Sequence, residues 1–412
     1  MSTISSASTL GRRVRLVLIL GALSAFGPLS IDLYLPGLPE LSRDLGAKAW
    51  EGQLTLTSCL AGLALGQLLA GPLSDRLGRR RPLLVGLSAY CAASLACAAS
   101  PSIFVLVALR LVQGLGGAAG IVIARAVVRD LRSGAAAARL FSLLLLVTGL
   151  APTLAPIFGG QLLRITSWRG LFVALAFVGL AVLLATAAWL PETLPRDRRH
   201  GGGWLQTTRA FHDLLRDRVF LGYALVLGVS FGEMFAYISG SPFVVENVYG
   251  VSPQLFGVVF AVNALGLVVC AQVNGVLVER LSPERLLVGG LTVGAFAGVS
   301  LFAVILVGGV GLAGILPCLF AVVSSVGFVL PNATALALRE YPHAAGSASA
   351  LLGVLQFLIG AAVSPLVGIA GAHSAVPMGA AVATLGLIAL GAMILTTRAS
   401  SPRGPESRAV SP

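Results

Sequence analysis

Long apolar stretches alternate with short polar ones along the whole chain. Twelve of the apolar runs approach 20 residues and are bounded by charges or by Pro and Gly, and a helix of about 20 apolar residues is long enough to cross a bilayer. The runs lie near 14–36, 52–73, 82–100, 103–124, 138–160, 170–190, 219–240, 254–277, 285–307, 311–333, 346–369 and 377–397. The pattern predicts an all-α membrane protein with twelve transmembrane helices.

The basic residues between these runs predict the orientation. With the N-terminus inside, alternation of the runs places 23 of the 28 Lys and Arg residues on the inner side. Four lie outside (Arg43, Lys48, Arg164 and Arg169), and Arg110 lies within the membrane. Because cytoplasmic loops are enriched in Lys and Arg, we expect both termini in the cytoplasm.

The two halves of the sequence resemble each other. The longest internal polar stretch, 191–218, has six apolar runs on each side. Residues 71–81 and 275–285 match at an offset of 204, including the acids Asp75 and Glu279. Such a repeat predicts two pseudo-symmetric six-helix bundles. We expect a cytoplasmic tail 1–13, bundles 14–190 and 219–397, a cytoplasmic linker 191–218 and a tail 398–412.

Composition supports the membrane class and excludes others. The chain is 57% hydrophobic and only 11% charged, against about 25% charged in soluble proteins. The net charge of +12 comes from short arginine runs beside apolar stretches, so nucleic-acid binding is excluded. No metal site or cofactor is expected, because the five cysteines and four histidines are scattered.

Motifs for ATP hydrolysis and for esterase-type catalysis are also absent from the sequence. There is no G-x-x-x-x-G-K-[ST] motif, and the lone lysine, Lys48, lies in a predicted outer loop. No G-x-S-x-G occurs either, and we expect no enzyme. A transporter without an ATP site needs an ion gradient as its source of energy.

Two charged residues in the first half lie inside apolar runs. Arg110 is about eight residues into its run and Asp32 about five residues from the end of the first run. A charge at such depth costs about 2.5–3.5 kcal/mol on insertion scales, so it should face a cavity and a partner. We expect Asp32 and Arg110 to lie near each other, either as a proton-coupling pair, Asp32 binding and releasing the proton, or as a purely structural ion pair.

The second half contributes Glu233 as a further membrane acid, predicted to take part in proton coupling. Aromatic, Met and amide side chains in the same or facing runs are candidates for a substrate pocket. They are Tyr34, Phe231, Met234, Tyr237, Asn263 and Gln356. Packing between helices is the alternative role for the Met and aromatic residues, and hydrogen bonding between helices is the alternative for the amides.

Three motifs resemble signatures of the major facilitator superfamily. Residues 71–81, G-P-L-S-D-R-L-G-R-R-R, are similar to its loop signature, in which Asp75 is expected to accept hydrogen bonds from backbone donors at a helix N-terminus and Gly71 to admit a neighbouring helix. We predict a conformational latch formed by Gly71, Asp75, Arg76, Gly78, Arg79, Arg80 and Arg125. Residues 110–116, R-L-V-Q-G-L-G, resemble a signature of proton-coupled members.

The fifth run resembles the signature of antiporters. It carries Gly149, Pro152, Pro156, Gly159 and Gly160, with Ala155 where the signature has glycine. The first run ends in S-I-D-L-Y-L-P, at 30–36, which is similar to the bicyclomycin/chloramphenicol resistance (Bcr/CflA) branch of drug:proton antiporters.

The resemblance implies a multidrug efflux transporter of the bacterial inner membrane that works by alternating access. Its partners would be small-molecule drugs, protons and the lipid bilayer, and we expect a monomer. An exporter of a metabolite such as an amino acid or a sugar would share every motif. A membrane sensor that does not transport is a third reading, which the short tail 398–412 disfavours.

Overall fold

The computed structural model describes the backbone of residues 2–131, 134–199, 211–341 and 345–400. In these ranges twelve long helices follow one another, and all twelve are long and apolar enough to cross a membrane. They are α1 (Ser2–Asp32), α2 (Ala49–Leu77), α3 (Arg80–Ala98), α4 (Ile103–Leu131), α5 (Gly134–Leu162), α6 (Trp168–Trp189), α7 (Arg218–Pro242), α8 (Pro253–Leu277), α9 (Pro283–Val307), α10 (Gly311–Leu338), α11 (Ala345–Val363) and α12 (Val376–Ser400). The predicted fold class, all-α with twelve membrane helices, is confirmed.

Local sequence explains where several helices begin and end. Helix α1 stops at Asp32, because Pro36 has no N–H to donate to the Asp32 carbonyl, and the chain continues in a 3₁₀ turn, Leu35–Gly37. A short helix, Leu38–Asp44, then leads towards α2. At the start of α8 and α9, the hydroxyls of Ser252 and Ser282 accept hydrogen bonds from the backbone N–H groups of Leu255 and Arg285.

Two groups of six helices make up the molecule. In the N-terminal half α2 and α3 pack on α4, and α1 packs on α5; in the C-terminal half α9 packs on α10 and α7 on α12. The halves meet where α5 packs on α8 and α2 packs on α11. We call the end of the bundle that carries Arg43, Lys48, Arg164 and Arg169 the arginine-poor face, and the opposite end the arginine-rich face.

Helix lengths differ from the apolar runs mainly near the arginine-rich face. Helix α4 continues to Leu131, α10 continues to Leu338 and α5 already begins at Gly134. Apolar runs stop at the first charges, whereas helices continue through them into the polar boundary. Residues 200–210 of the predicted linker and 401–412 of the predicted tail lie outside the described residues.

Candidate functional site

Asp32 lies at the seam between the two halves. It is the last residue of α1, and only 4% of its surface is exposed. The phenol of Tyr237, which belongs to α7 in the other half, lies within electrostatic reach of its carboxyl group. No hydrogen bond or ion pair to this carboxylate is found among the described residues. A buried carboxylate without a partner is costly as an anion, so the position favours a group that binds a proton.

Arg110 is fully buried inside the N-terminal half, in a cage of oxygen acceptors. Its Nη2 donates to the Ser30 carbonyl at 2.8 Å and its Nε to the Thr55 carbonyl at 3.3 Å. Its Nη1 donates to the side chain of Gln113. The guanidinium carbon also lies 4.4 Å from the ring centroid of Tyr34. Arg110 thereby ties α1, α2 and α4 together.

The predicted ion pair between Asp32 and Arg110 is wrong for this structure. Carbonyls in the last turn of a helix lack intrahelical partners, and the guanidinium satisfies one of them, Ser30 O, at the end of α1. Arg110 therefore reaches the backbone two residues before Asp32 instead of its carboxylate. The cation fixes the segment that carries the acid and does not neutralise it.

Two of the predicted pocket residues, Tyr237 and Asn263, form a hydrogen-bonded pair in the C-terminal half. The Asn263 amide donates to the Tyr237 hydroxyl at 2.9 Å, and the Tyr237 ring stacks on Phe260 with centroids 5.4 Å apart. Tyr34, like Tyr237, is fully buried; it lies in the N-terminal half and shares a 2.9 Å hydrogen bond with Thr55. Both tyrosines are therefore packing residues in this state.

The remaining pocket candidates lie on α7 and α11. Phe231 packs against Phe235 and Phe357 with ring centroids 4.9 and 5.6 Å apart. Met234 and Gln356 are half-buried. These two helices provide an aromatic wall on the C-terminal side.

Glu233 does not lie with Asp32. Its carboxylate is buried inside the C-terminal half, next to Gly386 of α12 and Gly294 of α9. Oε1 of Glu233 is buried without a hydrogen-bond partner in the described residues. The two membrane acids therefore occupy separate environments, and the role of Glu233 in proton coupling stays a prediction.

Side-chain donors join the halves near the arginine-poor face. Gln53 Nε2 donates to Ser239 O at 3.0 Å, and Thr57 Oγ1 donates to Ala361 O at 2.8 Å. The Ser364 hydroxyl donates to the Gln53 carbonyl at 3.5 Å. We call these five residues the clasp. Nothing in the sequence indicated it, because a polar residue near a helix end is common and its partners here are main-chain atoms.

Two glycines of α5 pack closely on backbone, one within the N-terminal half and one across to the C-terminal half. Gly159 lies against the carbonyl of Leu33, and Gly160 against the carbonyl of Pro253 at the start of α8. Gln254 Nε2 donates to Gly160 O at 3.0 Å. The predicted antiporter motif thus places backbone against backbone where α5 meets α1 and α8.

The predicted latch residues are only partly brought together. Arg79 pairs with Asp75 and with Asp130, its Nε lying 2.8 Å from Asp130 Oδ2. Arg76 and Arg125 are exposed, and Gly71 has no atom closer than 3.9 Å to an added Cβ, so it admits no close helix approach. Gly78 takes φ +90 between α2 and α3, a conformation that favours glycine.

Glu192 takes the role that was predicted for Asp75. Its carboxylate accepts from the backbone N–H groups of Arg79 at 2.8 Å and Arg80 at 3.3 Å, at the start of α3. Partial burial raises the pKa of Glu192, but the hydrogen bonds from backbone N–H groups and the charge of Arg199 outweigh it, so the pKa lies below its ordinary value. Asp75 instead accepts from the Arg79 side chain.

Comparison with known proteins agrees with this geometry. The sequence model of the Major Facilitator Superfamily matches residues 17–365. The chain belongs to the major facilitator superfamily. It is 42% identical over 370 residues to the uncharacterized MFS-type transporter YdgK of Bacillus subtilis (strain 168), covering 89% of this chain and 92% of that protein.

A second relative indicates the branch within the superfamily. The bicyclomycin resistance protein homolog of Haemophilus influenzae is 32% identical over 365 residues, covering 88% of this chain and 91% of that protein. Together with residues 30–36, this places the transporter in the bicyclomycin/chloramphenicol resistance branch. It is a multi-pass bacterial membrane protein.

The fold is also that of solved superfamily members. A bacterial homolog of the human lysosomal transporter Spinster, in an inward-facing and occupied conformation, superposes with a TM-score of 0.75. The match covers 94% of this chain and 97% of that chain at 16% sequence identity. At this identity the likeness speaks for the fold alone.

Proposed function

We propose that this transporter exports drug-like small molecules in exchange for protons, by alternating access between its two halves. The observation that carries the proposal is the buried, unpartnered Asp32 carboxylate at the seam, within electrostatic reach of Tyr237 of the opposite half. Bicyclomycin resistance in the name of a relative supports the substrate class.

Asp32 is the main proton site in this proposal, and Arg110 positions it. A proton on Asp32 removes a charge that the closed seam cannot solvate, so protonation stabilises this state. Loss of the proton favours a state in which the carboxylate meets water or a bound substrate. Arg110 acts through Ser30 O, and its own charge is already satisfied by carbonyls.

The arginine-poor face is the outer face in this proposal, because cytoplasmic loops carry the excess of Lys and Arg. Both termini then lie in the cytoplasm of a bacterium, and the transporter, as a monomer, spans the inner membrane. With this orientation the clasp closes the path to the outside, and the conformation corresponds to the inward-facing half of the cycle.

Efflux in inverted membrane vesicles tests the proposal. A panel of antibiotics is offered with an imposed proton gradient to wild type, Asp32→Asn and the control Asp197→Asn, which alters an exposed linker acid. We expect gradient-driven efflux to fall at least about tenfold in Asp32→Asn, a change of about 1.4 kcal/mol, and to stay at the wild-type level in the control. Substrate counterflow, which needs no proton, should persist in both variants.

Undiminished, gradient-dependent efflux by Asp32→Asn would remove Asp32 as the proton site. Efflux of an amino acid or a sugar, with no efflux of any antibiotic, would replace drug export by metabolite export. The same vesicles containing Glu233→Gln measure the number of protons per substrate. If Glu233 is a second proton site, as predicted, the number of protons per substrate should be lower in Glu233→Gln than in wild type.

A further inference from the structure

A short segment after α7 forms part of the seam at the arginine-poor face. Residues Phe243–Val248 wind as a π-helix, a rare conformation that occurs frequently at functional sites. The segment packs against the short helix Leu38–Asp44, which belongs to the opposite half. Phe243, Val244 and Val245 are buried, so this contact excludes water where the halves meet.

Glu246 is the one acid of this apolar segment. Its Oε1 is buried and has no hydrogen-bond partner among the described residues. The charges that act on it are Arg43 and Glu40, both on the short helix of the opposite half. In the described part of the chain, α7 and α8, which also pack on the segment, add no charge that acts on it.

An ionised Glu246 is costly in this arrangement. One oxygen has no donor, and the attraction of Arg43 is opposed by the repulsion of Glu40. Glu246 as a whole is half-buried, and a neutral carboxyl avoids both the partly buried charge and the repulsion. Separation of the halves would give the carboxylate water, so the open arrangement favours the ionised form.

We propose that Glu246 is a proton-responsive residue of the arginine-poor seam: as a neutral carboxyl it permits closure, and its ionisation drives the two halves apart. This proton is distinct from the one on Asp32, which lies at the end of α1. The inference rests on the proposed exchange cycle for its purpose, but closure of the seam can be measured without any transported substrate.

The distance between the halves at this face tests the inference. Cysteines replace the exposed Arg164 and His373, one in each half, in a chain freed of its five native cysteines. Spin labels on the two positions report the separation by pulsed electron paramagnetic resonance in lipid nanodiscs between pH 5 and 9. Asp32→Asn is present throughout, so that titration of Asp32 does not contribute.

We expect the ratio of open to closed molecules to rise with pH in this background, by up to about tenfold per pH unit for one proton released. Adding Glu246→Gln should remove the contribution of one released proton from the slope of this ratio against pH and should keep the seam closed. Glu246→Asp, which retains the carboxyl, should keep the slope, and so should the control Glu340→Gln, which alters an exposed acid after α10. Glu246→Met replaces the Gln variant if the latter does not fold.

An unchanged slope in Glu246→Gln or Glu246→Met overturns the inference. A distance between the spin labels that does not depend on pH in the Asp32→Asn background also overturns it. The vesicle assay distinguishes this failure from a failure of the proposed function. Proton-driven efflux with a pH-independent seam would remove the role of Glu246 and leave drug export intact. A pH-dependent seam without efflux would leave the role of Glu246 and remove the export.

Discussion

Arg110 is a buried cation that main-chain oxygens satisfy. The carbonyls of Ser30 and Thr55 and the amide of Gln113 accept its hydrogen bonds, and Gln113 is itself held by a 2.7 Å bond to Ser94. Hydrogen bonds to a charged group contribute about 1.5–3 kcal/mol each. The guanidinium therefore joins α1, α2 and α4 through donors in a fixed planar geometry, and Gln113 extends the connection to α3.

Replacing Arg110 by lysine should show that this geometry matters more than the charge. A lysine ammonium cannot reach all three acceptors from one position, so we expect Arg110→Lys to lower the free energy of unfolding by roughly 3 kcal/mol. Thermal unfolding in detergent measures the change. The matched control is Arg125→Lys on the same helix, an exposed residue that should alter stability little. Equal effects of the two substitutions would contradict a stabilising role for the hydrogen bonds around Arg110.

Glu192 should make stability depend on pH in the acid range. Its pKa is lowered in the folded state, so its contribution is present above the ordinary value of 4.5 and is lost as the pH falls through the lowered value. We expect Glu192→Gln to lower stability by on the order of 1–2 kcal/mol near neutral pH and to match wild type in acid. Unfolding at pH 3 to 7 tests this, with the exposed Glu340→Gln as control.

At the scale of single residues, depth in the membrane was predictable and partners were not. An arginine eight residues inside an apolar run had to be buried, and Arg110 is. Its acceptors are mostly backbone carbonyls, which every residue has, so no sequence pattern points to them. Glu246 was missed because it follows the seventh apolar run, where a loop was expected, and the structure continues in a helical turn.

At the scale of elements, α5 and α8 depend on glycine for their contact. A Cβ on Gly160 would lie 2.7 Å from the Pro253 carbonyl and 3.1 Å from the Gln254 Cα, which are backbone atoms and cannot rotate away. A Cβ on Gly149 of the same helix would meet only a Val268 methyl at 3.6 Å, an ordinary contact.

The two glycines should therefore respond differently to alanine. We expect Gly160→Ala to lower the free energy of unfolding by about 1–3 kcal/mol, because α8 must move away. Gly149→Ala should be neutral or should stabilise by up to about 1 kcal/mol, since alanine favours helix. Thermal unfolding compares them. A Gly160→Ala protein as stable as Gly149→Ala would show that α5 and α8 have room to separate.

Helix number and order followed from the apolar runs, because a bilayer leaves few alternatives to a spanning helix. Helix ends were less predictable. Charged residues such as Arg129 in α4 extend a helix beyond its apolar part, and Pro36 ends α1 earlier than the apolar run ends. The loop signature indicated a cluster around Asp75 and Arg79, but not that Glu192, 113 residues after Arg79, caps α3.

At the scale of the whole molecule, the clasp holds one of two arrangements of the halves. Gln53→Leu removes the donor to Ser239 O, and a hydrogen bond of this kind contributes about 1 kcal/mol net. We expect the ratio of open to closed molecules at the arginine-poor face to rise about fivefold. Spin labels at positions 164 and 373 measure it. The control Gln161→Leu changes an exposed glutamine of α5 and should leave the distances unaltered.

Unaltered distances in Gln53→Leu would mean that apolar packing alone closes this face. The sequence predicted the two halves through the 204-residue repeat, but not the state in which they would be joined. That state depends on contacts between side chains of one half and backbone of the other, which leave no periodic signal in either half.

Among the described residues, four hydrogen bonds join the halves near this face, and each runs from a side-chain donor to a main-chain acceptor: Gln53 to Ser239, Thr57 to Ala361, Ser364 to Gln53 and Gln254 to Gly160. A carbonyl oxygen persists whatever side chain its residue carries. The side chains at positions 239 and 361 can therefore change, where space allows, without loss of these hydrogen bonds, whereas Gly160 is fixed by the close approach of α8. A transporter built in this way can diversify what it recognises while its gate keeps working, because adaptation and closure depend on different atoms of the same residues.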